Sequence, residues 1–433
     1  MRRSCVTVVV IALVSASSLA MVAPGSAITA SRRARATQST PRYNVYWDEN
    51  EREDALRMPG DGHGQLIPPW DPNGQLCVLP GTSGRFSVGY NPTLASQHNP
   101  GSKKPKKAPP VGEALYDRHG KFTGQTLFVP GPYKLPGQKV GGDIPPDTGK
   151  SPPEFNSNGT YTGCVVDTSG NLFASDLGTA QGQFPPPDDG RLIEWFAPDY
   201  KKSCVVLGPT TGGVGPHHVD GQGGLRQPSD LALDKNGDVM LTEAGVTNGE
   251  VPAGRVLRVD HTSLPTRASD CPGNLYPSGN VRTSVFFQGS LSLLPFPLAI
   301  ARDPTCDCWA IDSTIGDTAV AWFDDNGQQL TDRAVIPGEG IANIGADPNG
   351  YNPFGIAFAP DGTLYMVDIH LHCGPGLTDC GPATKGGRVL RVRFTDGQPV
   401  APEAIATGLD FPTSVTVCVP AKQSCPIPKP TKS

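Results

Sequence analysis

Four acids and four histidines are the residues of this chain whose types and spacing could do chemistry. Asp176, Glu243, Asp312 and Asp368 each stand 15 positions after the residue that opens a recurring segment, namely Tyr161, Pro228, Pro297 and Pro353. Carboxylates gathered at one rim would offer hard oxygen ligands for Ca²⁺. The competing role is structural, since an acid at a strand end commonly accepts backbone N–H bonds from the adjoining turn. The chain has only eight histidines, so their clustering is informative. His217 and His218 lie in Gly215-Pro-His-His-Val-Asp220, and His370 and His372 in Asp368-Ile-His-Leu-His-Cys373. On a strand, His370 and His372 would share a face. Imidazole with carboxylate suits Zn²⁺ or another transition metal, or a general base. Surface histidines beside a disulfide are equally ordinary.

The elements that must position these groups are β-hairpins. Asn352 to Asp368 reads NPFGIAFAPDGTLYMVD, in which Ile356, Phe358, Leu364 and Met366 recur with the period of strands. Between them Pro360-Asp361-Gly362 supplies a tight turn. Two strands bury too little to fold alone, and the chain repeats the unit. Tyr161 to Asp176, Pro228 to Glu243 and Pro297 to Asp312 are in register with it, and Phe411 to Cys418 supplies one more inner strand. A third strand follows at Gly190-RLIEWF, Gly254-RVLRVD and Gly387-RVLRVRF, with Ala319-VAWFDDNG in the same place after Asp312. The segments start at steps of 67, 69, 56 and 59 residues, long for one repeat, so each unit carries inserted loops. Periodic four-stranded units in an all-β chain predict a β-propeller. Strands are also expected at Gly74-QLCVLPG, Arg85-FSVGY and Glu113-ALYDRHGKFTGQTLFVP. Counting them gives six four-stranded blades, with five or seven as alternatives. The strands at Gly74 and Arg85 are expected to complete the blade of Phe411 to Cys418, closing the ring with both termini and removing open edges.

The pattern Pro-x-Gly-hydrophobic-Ala-hydrophobic through Gly-x-Leu-Tyr-x-x-Asp to Gly-Arg-Val-x-Arg-Val resembles the NHL-repeat propellers. It is similar also to the wider gluconolactonase-like and sugar-dehydrogenase-like six-bladed propellers. The resemblance covers roughly Tyr161 to Cys418 and implies architecture more than activity, because such folds host lactonases, lyases, quinone-dependent dehydrogenases and interaction scaffolds. In the gluconolactonase-like members an acid or Asn after the blade-opening residue holds the metal. Those positions here are Thr162, Ser229, Leu298, Phe354 and Thr413, with Asp230 one residue late. The His set of the zinc-dependent amidating lyases is missing from the same positions. A quinone pocket would need cations, for which Arg226, Arg255 and Arg302 are available, although Arg255 belongs to the third-strand pattern and is expected on the outer sheet.

Compartment and class follow from composition. Residues 1–27 carry Arg2-Arg3, an apolar run from Val6 to about Ala23 and Gly25-Ser26-Ala27, the layout of a cleaved secretory signal. An uncleaved anchor is the alternative. Residues 28–73 read as a polar lead-in, 74–425 as the propeller with Pro/Gly-rich insertions near 91–112 and 132–157, and 426–433 as a tail. Gly 52 and Pro 46 in 433 residues fit a turn-rich chain. A net charge of −5 suggests neither nucleic acid nor an anionic membrane as partner. Of 11 cysteines Cys5 leaves with the signal, and an even set in an exported protein favours disulfides. Cys373 with Cys380, Cys418 with Cys425 and Cys204 with Cys271 are the expected pairs. Cys306 and Cys308 are expected to bridge to different partners rather than hold a metal.

Two functions are compatible with this reading. One is a secreted, monomeric binding propeller whose loop-rich face holds a small molecule, glycan, peptide or envelope protein. The other is a metal- or quinone-dependent sugar or lactone enzyme with its site at the channel mouth, using Ca²⁺ or Zn²⁺.

Overall fold

The computed structural model describes residues 43–48, 64–65, 72–81, 83–90, 112–127, 161–176, 190–208, 225–244, 247–248, 251–274, 276–277, 279–340, 350–374, 378–383, 385–409, 411–420, 422–427 and 429–430. All belong to the unit Pro41–Ser433. None of the helices among the described residues is long and apolar enough to cross a membrane.

Five antiparallel four-stranded sheets form the blades of a β-propeller. The first contains Pro72–Val78, Phe86–Tyr90, Gly112–Tyr116 and Phe122–Leu127. The second contains Tyr161–Val166, Leu172–Asp176, Arg191–Trp195 and Ser203–Leu207. Pro228–Leu233, Val239–Glu243, Arg255–Val259 and Thr283–Gln288 make the third. Ile300–Asp303, Cys308–Asp312, Thr318–Phe323 and Ile336–Pro337 make the fourth. Pro353–Phe358, Leu364–Asp368, Gly387–Val392 and Glu403–Leu409 make the fifth.

Among the described residues the four-stranded blades number five, where six were expected. Between the fifth blade and the first stands a two-stranded sheet, in which Asn44–Trp47 pairs antiparallel with Val415–Cys418. The strands at Gly74 and Arg85 do not complete that sheet. They pair with each other and, through Phe86–Tyr90, with Gly112–Tyr116 as the first blade. The partner of the C-terminal strand comes instead from the supposed lead-in. Val45, Tyr46 and Trp47 are all buried there, and four residues are too few for an alternation to announce a strand. The termini meet once more where Gly64–Gln65 pairs with Lys429–Pro430.

Apolar faces of neighbouring blades close on one another, which removes the alternating hydrophobic side chains from water. Leu79, Leu115 and Leu127 of the first blade pack with Leu172, Ile193 and Trp195 of the second. Val206 and Leu192 of the second meet Leu231, Leu241 and Leu257 of the third. Met240, Val256 and Phe287 of the third meet Trp309, Ile311 and Phe323 of the fourth. Ala310 and Trp322 of the fourth meet Ile356, Leu364 and Met366 of the fifth. Tyr365 and Val389 of the fifth pack with Trp47 and Val415, and Tyr46 with Leu76, Phe86 and Tyr116 of the first blade. The ring therefore closes through cores as well as through hydrogen bonds.

The repeated Gly of the third strand has a packing reason. A Cβ at Gly190 would stand 2.4 Å from Cδ of Pro228, one at Gly254 2.4 Å from Cδ of Pro297, and one at Gly387 2.4 Å from Cδ of Pro412. Each proline opens the next sheet around the ring, so the Gly and Pro of the repeat are two sides of one inter-blade contact.

Cys77 bonds Cys164, linking the first two blades, Cys204 bonds Cys271, and Cys418 bonds Cys425. Cys306 and Cys308 bond each other rather than separate partners, because the turn leading into Cys308–Asp312 brings the two side chains together. The backbones carrying Cys373 and Cys380 pair as Leu371–Gly374 with Thr378–Pro382; the side chains of these two cysteines lie outside the described part.

Candidate functional site

The strand-closing acids lie where the repeat places them, opposite the start of each inner strand: Tyr161 faces Asp176, Pro228 faces Glu243 and Pro353 faces Asp368. Their side chains are buried, and three face an arginine directly across the next strand pair. Asp176 faces Arg191, Glu243 faces Arg255 and Asp368 faces Arg388. Arg191 donates from Nε to Asp176 Oδ2 at 2.9 Å, Arg255 from Nε to Glu243 Oε2 at 2.6 Å, and Arg388 from Nε to Asp368 Oδ2 at 2.7 Å. Arg255 is thus buried against Glu243 rather than on the outer sheet. These acids also accept backbone N–H bonds, Glu243 from Arg226 at 2.8 Å and Asp368 from Asn352 at 3.0 Å and His370 at 3.1 Å. Asp48 does the same in the two-stranded sheet, accepting from the N–H of Thr413 at 2.8 Å and of Ser414 at 2.6 Å. A carboxylate held by a guanidinium and a backbone N–H is fixed inside the fold.

The fourth blade departs from this rule. Opposite Asp312 stands Val320, so the arginine is missing. Asp312 Oδ1 accepts the N–H of Leu298 at 3.2 Å and of Ala299 at 2.6 Å, while Oδ2 is buried with no hydrogen-bond partner among the described residues. A second acid takes the place of a cation nearby. Asp230 accepts the N–H of Ile300 at 3.0 Å through Oδ2 and that of Leu231 at 2.8 Å through Oδ1. The two carboxyls thus hold three successive N–H groups, residues 298–300, at the start of one inner strand. Burial pushes the Asp230 carboxyl up to about 7. Burial first, and the Asp230 charge as well, hold Asp312 well above the usual carboxylate range. Two buried acids without a cation favour keeping a proton, in each case through the loss of water around the carboxyl.

The histidines are not assembled into a comparable cluster. His217 and His218 lie outside the described residues. His370 precedes the short strand Leu371–Gly374 and has φ 48°, so it does not share a strand face with His372. His370 is half-buried and His372 exposed. Among the described residues, the groups that could hold a metal are Asp238, Asp260 and His261, and Asp303 with the bonded Cys306 and Cys308. In the first group His261 Nδ1 lies 2.7 Å from Asp238 Oδ1, and Arg282 already reaches Asp260 at 2.7 Å, which is a surface ion-pair network.

At the other end of the ring, where hairpin turns join inner to second strands, lies a cavity of about 600 Å³. Its lining includes the apolar Leu233, Phe358, Pro360 and Val417. Arg302 and Asp307, from the blade between Leu233 and Phe358, line it too. Arg302 donates to Asp307 Oδ1 from Nε at 2.9 Å and Nη2 at 2.7 Å, and to Asp325 Oδ1 from Nη1 at 2.6 Å. Its guanidinium carbon lies 4.9 Å from the centre of the Trp309 ring, so the group is held by two carboxylates and an aromatic ring. Lys235 joins the network through Asp325 at 2.5 Å. Val419 and Lys422 complete the mouth, on a loop closed by the Cys418–Cys425 bond. A second cavity of about 620 Å³ lies at Phe122–Leu127 beside Trp195 and Tyr200, but both rings are buried in the blade core.

Sequence reasoning named Arg302 but did not single out this mouth, although Leu233, Arg302, Phe358 and Val417 each stand five positions after Pro228, Pro297, Pro353 and Pro412 and so hold one position of the repeat. It did register Asp230, without its partner. The signal for the pair was present in the repeat itself: three third strands begin Gly-Arg, and the fourth reads Thr318-Ala-Val320.

No family model matches the chain, and no curated protein matches it in sequence. Solved structures it is similar to include a candidate gluconolactonase, at 13% identity over 75% of this chain and 88% of that one with a TM-score of 0.37. Another is the PQQ-bound form of an aldose sugar dehydrogenase from Streptomyces coelicolor, at 14% identity over 84% and 86% with a TM-score of 0.38. A third is a protein of unknown function from Bacteroides caccae, at 9% identity over 87% and 99% with a TM-score of 0.41. The strand pairing establishes the propeller arrangement independently, and the repeat pattern resembles the gluconolactonase-like kind.

Proposed function

We propose that this chain is an exported binding propeller that holds a neutral carbohydrate in the cavity at the turn-side mouth of its ring. The observation that carries the reading is a single cavity lined both by apolar groups at Phe358 and Pro360 and by ion-paired groups at Arg302 and Asp307. Sugars present C–H faces and fixed hydroxyls together, and a lining of both kinds matches them. About 600 Å³ is the size of a small-ligand site. Polar groups already locked by ion pairs lose little freedom on binding. In this reading the two-stranded sheet is a reduced sixth blade of an NHL-type ring, the signal is removed near Ala27, and the protein acts as a monomer.

The test is a neutral-oligosaccharide array followed by calorimetry on hits, with wild type beside Phe358→Ala and Lys422→Ala. Binding that falls at least tenfold in Phe358→Ala supports the mouth as the site. Glycan binding unchanged in both variants would move the site elsewhere, and no hit at all would end the carbohydrate reading.

One observation favours a second reading, hydrolysis of a sugar lactone or ester. Asp230 and Asp312 bring two buried carboxyls to the N–H groups of residues 298–300 with no arginine opposite Asp312, and burial raises both above the ordinary carboxylate range. Turnover of lactones measured by pH-stat, abolished in Asp312→Asn with the fold intact, would favour it over pure binding.

A further inference from the structure

The Cys306–Cys308 bond sits at the rim of this cavity and differs from the other described disulfides in two respects. Cys306 is half-buried, whereas Cys77, Cys164, Cys204, Cys271, Cys308, Cys418 and Cys425 are all buried. Its sequence separation is 2, against 87, 67 and 7 for the others. In the chain-entropy account a bridge stabilises more the longer the loop it closes, growing with the logarithm of loop length, so the shortest loop gains least. Partial exposure of Cys306 gives a thiolate access to this bridge. The residue enclosed by this bridge is Asp307, held at φ 53°, with its carboxylate on Arg302.

We propose that Cys306 and Cys308 are a reversible dithiol–disulfide pair that exchanges with a small thiol and sets whether Asp307 holds Arg302 at the cavity rim. A thiolate attacks Cys306 Sγ, the accessible sulfur, and the electron pair of the S–S bond leaves on Cys308 Sγ, which takes a proton from solvent. A second thiol molecule then attacks the mixed disulfide, releasing Cys306 as a thiol and the reagent as its own disulfide. The two thiols supply the two electrons. Asp303, within 4.8 Å of both sulfurs, does not leave the site anionic, because Arg333 reaches its Oδ2 at 2.8 Å. With the bridge open, nothing covalent fixes the turn that presents Asp307, whose carboxylate and backbone carbonyl both accept from Arg302, the carbonyl from Nη2 at 2.7 Å. As the turn relaxes Asp307 leaves Arg302, which keeps its bond to Asp325 and turns its Nε and Nη2 donors to the cavity.

The experiment equilibrates the full exported protein with reduced and oxidised glutathione in graded ratios, without denaturant, and maps free thiols by alkylation and peptide mass spectrometry. Circular dichroism tracks the fold. Cys306 and Cys308 are expected to be alkylated at ratios at least tenfold less reducing than any other cysteine pair, with the strand signal unchanged, and to re-form on return to oxidised glutathione. In the same samples, modification of Arg302 by phenylglyoxal should rise several-fold with reduction, and Asp307→Ala, which removes the side-chain acceptor of Nε and Nη2, should raise it without reduction. Another pair reduced first, or reduction only with loss of the fold, overturns the exchange site. Unchanged Arg302 reactivity in the reduced protein overturns the coupling to the rim. The inference deepens the binding reading by assigning its site a regulator. Neither readout needs a sugar, so a failed glycan screen and a failed redox map remain distinguishable.

Discussion

Replacing Asp230 by Asn should change how stability depends on pH as well as its magnitude. In the folded protein burial raises this carboxyl from the ordinary 3.8 to about 7. Between those values the folded state keeps a proton that the unfolded chain has released. The sign follows from that: the contribution is fully present below about pH 4 and is lost as pH rises through about 7. At about 1.4 kcal/mol per pH unit, the displacement sets a ceiling of roughly 4 kcal/mol, and relaxation around the charged form reduces it to about 2–4 kcal/mol. Asn cannot titrate, and removing Asp230 also lifts its charge from Asp312, whose carboxyl is displaced in the same direction. Urea unfolding with disulfides intact, run on both proteins from about pH 4 to about pH 8, measures the difference directly. Asn should be the less favourable side chain at the acid end and gain on Asp by about 2–4 kcal/mol at the alkaline end. Comparing the two proteins cancels the background from Glu113 and Glu194, which burial pushes up to about 8 and about 9. Parallel stability curves across this range would refute the buried acid pair.

Arg255→Met leaves the Glu243 carboxylate buried without its cation, and a thermal or urea melt should show a loss of about 3–5 kcal/mol. Gly254→Ala places a Cβ 2.4 Å from Pro297 and 2.8 Å from the Glu243 carbonyl, so the third and fourth blades must separate. The same melt should fall by at least about 2 kcal/mol, whereas Gly397→Ala, with its nearest neighbour at 3.4 Å, tests the milder cost of a positive φ alone. Opening the Cys418–Cys425 loop by a double Ser substitution should lower stability by about 2 kcal/mol. It should also weaken glycan binding by calorimetry, because Val419 and Lys422 lose their fixed position at the mouth.

The sequence by itself determined the repeated hairpins, because strand alternation and turn glycines act over a few residues, and determined that equal spacing brings the closing acids to equivalent places. Gly-Arg after three of the hairpins also carried two contacts in code, the Gly against the next proline and the Arg against its own acid, although only tertiary structure says what each touches. Tertiary structure decided which strand closes the ring: Asn44–Trp47 competes with the strands near Gly74 and Arg85 for Val415–Cys418, and every β-strand offers the same backbone donors and acceptors. It decided the difference between Asp312 and the other three acids, because a missing arginine matters only once burial removes water from the carboxylate. It decided the cavity too: Leu233, Arg302, Phe358 and Val417 hold one position of the repeat, but they are far apart in the chain and line one space only when the ring is closed.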